Sequence, residues 1–159
     1  MIALPVLVPD ASVLLKWVLE SDDERDRDRA LEIRDDWLSG RCTIVLPSLW
    51  FFEVGHILGL KQPKMAVPLM RILIRYSFEE ETPEEICEKI FELMRTFKIT
   101  FYDAAYHAVA IKRSGIMITA DDAYCQKASG AGHVARLRNW SSQIALPAPQ
   151  LKTSEPQDL

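Results

Sequence analysis

The stretch that most restricts the fold is VLVPDASVLLKWVLE, Val6 to Glu20. A short apolar run meets a turn at Pro9-Asp10-Ala11-Ser12, and Val13, Leu14, Trp17 and Val18 then follow at helical spacing. This reads as strand, tight turn and helix. The unit returns at Thr43 to Leu46, closed by Pro47 ahead of SLWFFEVGHILGL, and at Ile116 to Ile118, where TADD leads into another short helix. Short apolar strands alternating with amphipathic helices imply an α/β fold built on a parallel sheet. In such sheets ligands bind beyond the carboxyl ends of the strands, where Asp10 and Asp121 stand.

A chain of 159 residues, 48% hydrophobic and 26% charged, is enough for one domain with a sizeable core. The expected division is a domain over residues 1–141 and a loose tail over 142–159, where Pro147, Pro149 and Pro156 lie among polar residues. A formal net charge of −4 weighs against wrapping nucleic acid with the whole surface, although bound metal would offset carboxylates. Cys42, Cys87 and Cys125 are odd in number and widely spaced, which suggests neither a disulfide framework nor a zinc site. The opening apolar run lacks a charged leader and is interrupted by Pro5, Pro9 and Asp10. It matches neither a signal peptide nor a membrane span, so a cytoplasmic protein with no membrane partner is expected.

Between these strands lie four further helical signals. Ala30, Ile33 and Trp37 mark the apolar face of an arginine-rich helix that ends at Gly40. Residues 61–75, interrupted by Pro63 and Pro68, read as a short helix pair whose Met65, Met70, Ile72 and Leu73 pack on the core or receive a partner. Thr82-Pro83-Glu84-Glu85 has the form of a capping box, launching a helix with Ile86, Ile90, Leu93 and Phe97 on one face. Thr100-Phe101-Tyr102-Asp103 opens the next helix, and His133 to Leu137 reads as a last strand.

Four acids stand out, and each has a local explanation. Asp10, Asp103 and Asp121 sit at helix starts, where a carboxylate satisfies free amides and the helix dipole. Glu53 lies on the apolar stripe between Trp50 and Ile57, where His56 or a backbone amide could satisfy it. His107 shares a helix face with Asp103 and is a packed residue or a ligand. Taken together, three acids on one sheet edge and a fourth on a helix packed against it would repel one another, and so take up protons or recruit a cation. All-oxygen ligation selects Mg²⁺ or Mn²⁺, and such an ion activates water for phosphodiester hydrolysis. Lys16 and Arg113 are the nearest basic residues in sequence and are candidates for phosphate contact. Tyr106 could stack a base; Trp17 is better read as core.

The segments VPDASVLLKW, LWFFEVGHIL, TFYDAAYHAVA and MITADDAY, in this order and spacing, resemble the four acidic motifs of PIN-domain nucleases, most closely the VapC toxins of toxin–antitoxin pairs. The resemblance runs from about Ala3 to Trp140. It implies a three-layer α/β/α fold with a central, mostly parallel sheet, and Mg²⁺- or Mn²⁺-dependent cleavage of RNA. It also implies neutralisation by a VapB-like antitoxin, and a homodimer is expected. Carried over residue by residue, Asp10, Asp103 and Asp121 match the metal-binding aspartates and Glu53 the glutamate, while Ser12 and Thr119 match the residues that orient those carboxylates. His56 departs from the pattern, since many relatives carry Asn a turn after the glutamate. A catalytically silent binding module and an RNA-processing nuclease are the alternatives.

Overall fold

The computed structural model describes residues 3–20 and 25–142. Its elements, in chain order, are β1 (Val6–Pro9), α1 (Ala11–Val18), α2 (Arg27–Leu38), β2 (Thr43–Pro47), α3 (Trp50–Lys61) and α4 (Ala66–Arg75). They continue with β3 (Glu79–Glu81), α5 (Pro83–Phe97), α6 (Phe101–Lys112), β4 (Ile116–Thr119), α7 (Asp122–Ala128) and β5 (Val134–Arg136). The strands form one sheet in the order β3-β2-β1-β4-β5, and every neighbouring pair is parallel. From β1 the chain winds outward to β2 and β3, then returns to the centre and winds the other way through β4 and β5. The switch point therefore falls between β1 and β4, with Leu7 beside Ile116 and Pro9 beside Ile118. Helices on both faces complete a three-layer α/β/α arrangement.

The inner parallel strands β1, β2 and β4 are covered on both faces, and their sequences are accordingly mostly apolar. Leu7, Val8, Ile44, Val45, Leu46, Met117 and Ile118 are all buried. The alanine-rich helix α6 packs against β1, β2 and β4 from one side, and its buried Ala104, Ala105, Ala108 and Ala110 permit that close approach. On α1, Trp17 is core as expected. Its indole donates to the Ala30 carbonyl at 2.8 Å and its ring lies against Trp37, Tyr76 and Phe78. Gly115 at the entry to β4 is dictated by contact, because a Cβ there would stand 2.4 Å from the Val6 carbonyl oxygen.

Several expectations change. β3 has the sequence Glu-Glu-Glu and carries no apolar signal. It exists because each carboxylate has a donor: Arg113 serves Glu79 at 2.9 Å and Glu81 at 2.5 Å, while the Trp50 indole serves Glu80 at 2.7 Å. Thr82 is the N-cap of α5 with Pro83 behind it, but its side chain makes no capping hydrogen bond and Glu85 pairs with Lys112 instead. Residues 61–75 contain the end of α3 and the single helix α4, not a short pair. Of the apolar residues there Leu73 is buried, whereas Met65, Val67, Ile72 and Ile74 are exposed, as is Leu60 just before them.

The fold reaches one residue into the expected tail. Ser142 is buried and its hydroxyl donates to Glu32, at 2.5 Å, and to Asp36, while Arg29 holds the Trp140 carbonyl at 2.5 Å. Residues 143–159, and Ser21 to Glu24 ahead of α2, lie outside the described residues. Among the described residues no helix is long and apolar enough to cross a membrane.

Candidate functional site

At the switch point the carboxyl end of the sheet opens into a cleft of about 560 Å³. Asp10, Ser12, Glu53, Asp103 and Asp121 line it, together with Ala11, Leu15, Lys16, Leu19, Glu20, Ile57, Lys61, Gln62 and Ala120. The four acids singled out from separate stretches of sequence thus share one cavity.

Each acid is delivered by the local fold. Asp10 leaves β1, its amide donating to the Ile118 carbonyl of β4 at 3.0 Å, and its side chain caps α1 by accepting from the Val13 amide at 3.3 Å. The Ser12 hydroxyl donates to Asp10 at 2.5 Å and accepts from the Ala120 amide at 3.0 Å, so one side chain ties the end of β1 to the turn after β4. Asp121 caps α7 through the Tyr124 amide at 3.0 Å, and its own amide is held by the Thr119 hydroxyl at 3.0 Å. Asp103 occupies the first turn of α6, where its amide donates to the N-cap hydroxyl of Thr100 at 3.2 Å. Asp10 and Asp121 therefore do cap their helices, whereas Thr100 caps α6 in place of Asp103, and all three carboxylates line the cleft.

Glu53 differs. Its Oε2 is buried and has no hydrogen-bond partner, and neither His56, which is exposed, nor a backbone amide supplies one. The Tyr106 hydroxyl is likewise buried without a hydrogen bond, although it is near enough to ease the glutamate's charge. Tyr106 is fully buried, so it is not available to stack a base. His107 is packed, with its ring nitrogens 2.6 Å from the Tyr124 hydroxyl and 2.7 Å from the Gly132 carbonyl oxygen.

The electrostatics follow from burial and crowding. Burial pushes Asp10 up to about 6, with Asp103 adding repulsion and the hydroxyls of Ser12 and Thr119 opposing it. Glu53 rises to about 7, chiefly through burial and then through the charges of Asp10 and Asp103. Asp103 is raised by burial and by Asp121. A cleft of this kind binds protons near neutrality or binds a cation.

The donor set fits a hard divalent ion: oxygen ligands only, and a buried carboxylate oxygen with no partner. Among the described residues no group of three or more His, Cys, Asp or Glu side chains stands close enough together to hold a metal ion, so the four carboxylates would have to draw in to share one. An open cleft suits Mg²⁺, which keeps several waters, so that some of the carboxylates would reach it through water.

The two expected phosphate contacts separate. Lys16 lines the cleft, its ammonium donating to the Arg25 carbonyl at 3.3 Å. Arg113 does not line it. It lies past the last residue of α6, about 15 Å of helix from Asp103, with its guanidinium committed to Glu79 and Glu81. Lys61, which sequence reading passed over, lines the cleft instead. Asp122, beside Asp121, pairs with Arg138 at 3.1 Å.

The PIN domain family model matches residues 7–130. This chain belongs to the PIN domain family. Among solved structures, PAE2754 from Pyrobaculum aerophilum is similar at 20% identity and a TM-score of 0.60, covering 86% of this chain and 91% of its own. A toxin–antitoxin complex from Klebsiella pneumoniae is similar at 16% identity and a TM-score of 0.61, covering 84% and 97%. No curated protein matches the chain. These likenesses, between distant sequences, are likenesses of fold. PIN domains are in general nucleases, and the acidic cleft lies on the matched part of this one.

Proposed function

We propose that this PIN domain is a metal-dependent endoribonuclease of the VapC type, with Mg²⁺ or Mn²⁺ held by Asp10, Glu53, Asp103 and Asp121. The observation that carries the reading is Glu53 Oε2, a buried carboxylate oxygen left without a partner in a cleft shared with three aspartates. A buried carboxylate in this condition costs several kcal/mol unless it is protonated or meets a cation. When bound, the ion supplies a more acidic water and stabilises charge developing on a phosphoryl group. The protein's own residues do the rest. Ser12 fixes Asp10 against the turn that carries Asp121, and Thr119 fixes the Asp121 backbone. Lys16 would meet substrate phosphate at the wall of the cleft. No side chain in the cleft is a serine–histidine or cysteine–histidine pair, so direct attack by water accounts for the lining better than a covalent intermediate does.

Partners follow from the surface. The exposed Leu60, Met65, Val67, Ile72 and Ile74 on the α3–α4 hairpin, with the arginine-rich α2 nearby in sequence, support docking of a VapB-like antitoxin there, and a homodimer of the free protein. The neighbour from Klebsiella pneumoniae, a toxin–antitoxin complex, supports an antitoxin as the kind of partner. Hydrogen exchange with and without an antitoxin should show protection over residues 58–73; protection elsewhere would remove this surface from the account.

The test of activity is cleavage of RNA in EDTA, Mg²⁺ and Mn²⁺ by the wild type and Asp10→Asn. Metal-dependent cleavage lost in the variant supports the site. Equal cleavage by both proteins would show that the cleft is not where RNA is cut.

A further inference from the structure

The cleft that brings the acids together is also lined by two lysines, Lys16 and Lys61. Glu53, Ile57 and Lys61 succeed one another at intervals of four residues along α3, and all three line the cavity. Residues so spaced share a helix face. Lys61 therefore stands about 12 Å along the axis from Glu53 on the same wall.

Its charge is unspent. Among the described residues Lys61 makes no ion pair with an acid, whereas Lys16 holds the Arg25 carbonyl and Arg113 is tied to Glu79 and Glu81. Lys61 is exposed, on the last turn of α3. A lysine there favours the helix dipole, but that role would be met on any side of the helix. Its place on the cleft wall needs a further reason, because the lining otherwise carries five acids (Asp10, Glu20, Glu53, Asp103 and Asp121) that repel a polyanion.

We propose that Lys61, with Lys16 in the same cleft, binds an RNA phosphate other than the scissile one, and so sets where the strand lies over the carboxylates. This rests on the ribonuclease reading above and names a substrate-binding residue within it. Distance makes the roles distinct: a side chain about 12 Å of helix from Glu53 meets a neighbouring phosphate in the strand, while the scissile group sits among the acids.

The experiment compares wild type, Lys61→Gln and Lys61→Arg on a fluorescein-labelled single-stranded RNA in Mg²⁺, with KM and kcat measured across a range of KCl. Loss of one exposed phosphate contact weakens binding by up to about fivefold. The salt slope of log affinity should become shallower by about 0.7 for a single strand. Lys61→Gln is expected to raise KM by that factor with kcat little changed, and Lys61→Arg to restore both KM and slope. A lysine serving only the helix dipole would alter the melting temperature and leave the slope alone, which overturns the proposal. Cleaving wild type with an unaffected Lys61→Gln overturns this proposal and spares the nuclease reading. Wild type inert toward RNA overturns both.

Discussion

Replacing Asp10 with Asn should make the metal-free protein more stable while removing its activity. Asp10 is 6% exposed and carries a pKa of about 6 against an ordinary 3.8, chiefly because burial disfavours its charge. The folded-state pKa is raised, so the group's contribution to stability is full below pH 3.8 and is lost as pH rises through 6. A shift of about two units corresponds to about 3 kcal/mol lost at pH 8. Asn has no charge to lose, and its Oδ1 can still accept from Ser12 and from the Val13 amide. In EDTA the variant should therefore melt about 6–12 °C above wild type at pH 8, and the gap should close toward pH 4. Millimolar Mg²⁺ should narrow it again by stabilising the wild type alone. Circular-dichroism melts across pH measure this directly. Subtracting the two curves removes the titrating groups that do not interact with Asp10, including the buried His107, whose lowered pKa opposes acid stability in both proteins, while Glu53 and Asp103 stay coupled to Asp10 and broaden the difference. A variant less stable than wild type at pH 8, or a gap that does not change with pH, would refute the reasoning.

Three further outcomes are expected. Metal affinity, read by Mn²⁺ titration, should rise with pH between about 5 and 8, because Glu53 near 7 and Asp10 near 6 must give up protons before they can hold a cation; a flat profile would place the ion elsewhere. Tyr106→Phe removes a buried hydroxyl that makes no hydrogen bond, so its unfolding free energy should stay within about 0.5 kcal/mol of wild type or increase, and a loss of 2 kcal/mol or more would mean that the hydroxyl is bonded. Arg113→Ala leaves Glu81 buried without its partner and should cost about 3 kcal/mol in a denaturant titration, while KM for RNA stays as in wild type; a raised KM at full stability would return Arg113 to the substrate path.

What was legible in the sequence was what depends on local pattern. Val6 to Pro9, Thr43 to Pro47 and Ile116 to Thr119 are apolar but for one Thr at an end of each of the last two, because an inner parallel strand is covered on both faces, and the turn residues after them announce the helices. Asp10 and Asp121 were readable for the same reason, since a carboxylate that caps a helix at the end of a strand also faces the ligand edge. Glu53 was readable because charge on an apolar stripe has to be explained.

The rest depends on distant partners. β3 is hidden because its glutamates are neutralised by Arg113, more than thirty residues away, and by Trp50. Arg113 was misassigned because nearness in sequence to Asp103 becomes opposite ends of one helix. Tyr106 followed the aromatic rule for bases, yet the alanines around it bring α6 so close to the sheet that the ring is sealed. Lys61 had the one usable signal that was passed over: it is two four-residue steps from Glu53 along the same helix. The anchoring of Ser142 to Glu32 and Asp36 spans more than a hundred residues and has no local trace.

The central claim is that Asp10, Glu53, Asp103 and Asp121 hold one divalent site. It is tested most directly by anomalous diffraction at the manganese edge from crystals soaked in millimolar Mn²⁺, wild type beside Asp10→Asn. The account predicts a peak in the cleft between these carboxylates in the wild type, absent or much weaker in the variant. A cleft without a peak, or one unchanged by Asp10→Asn, would contradict it.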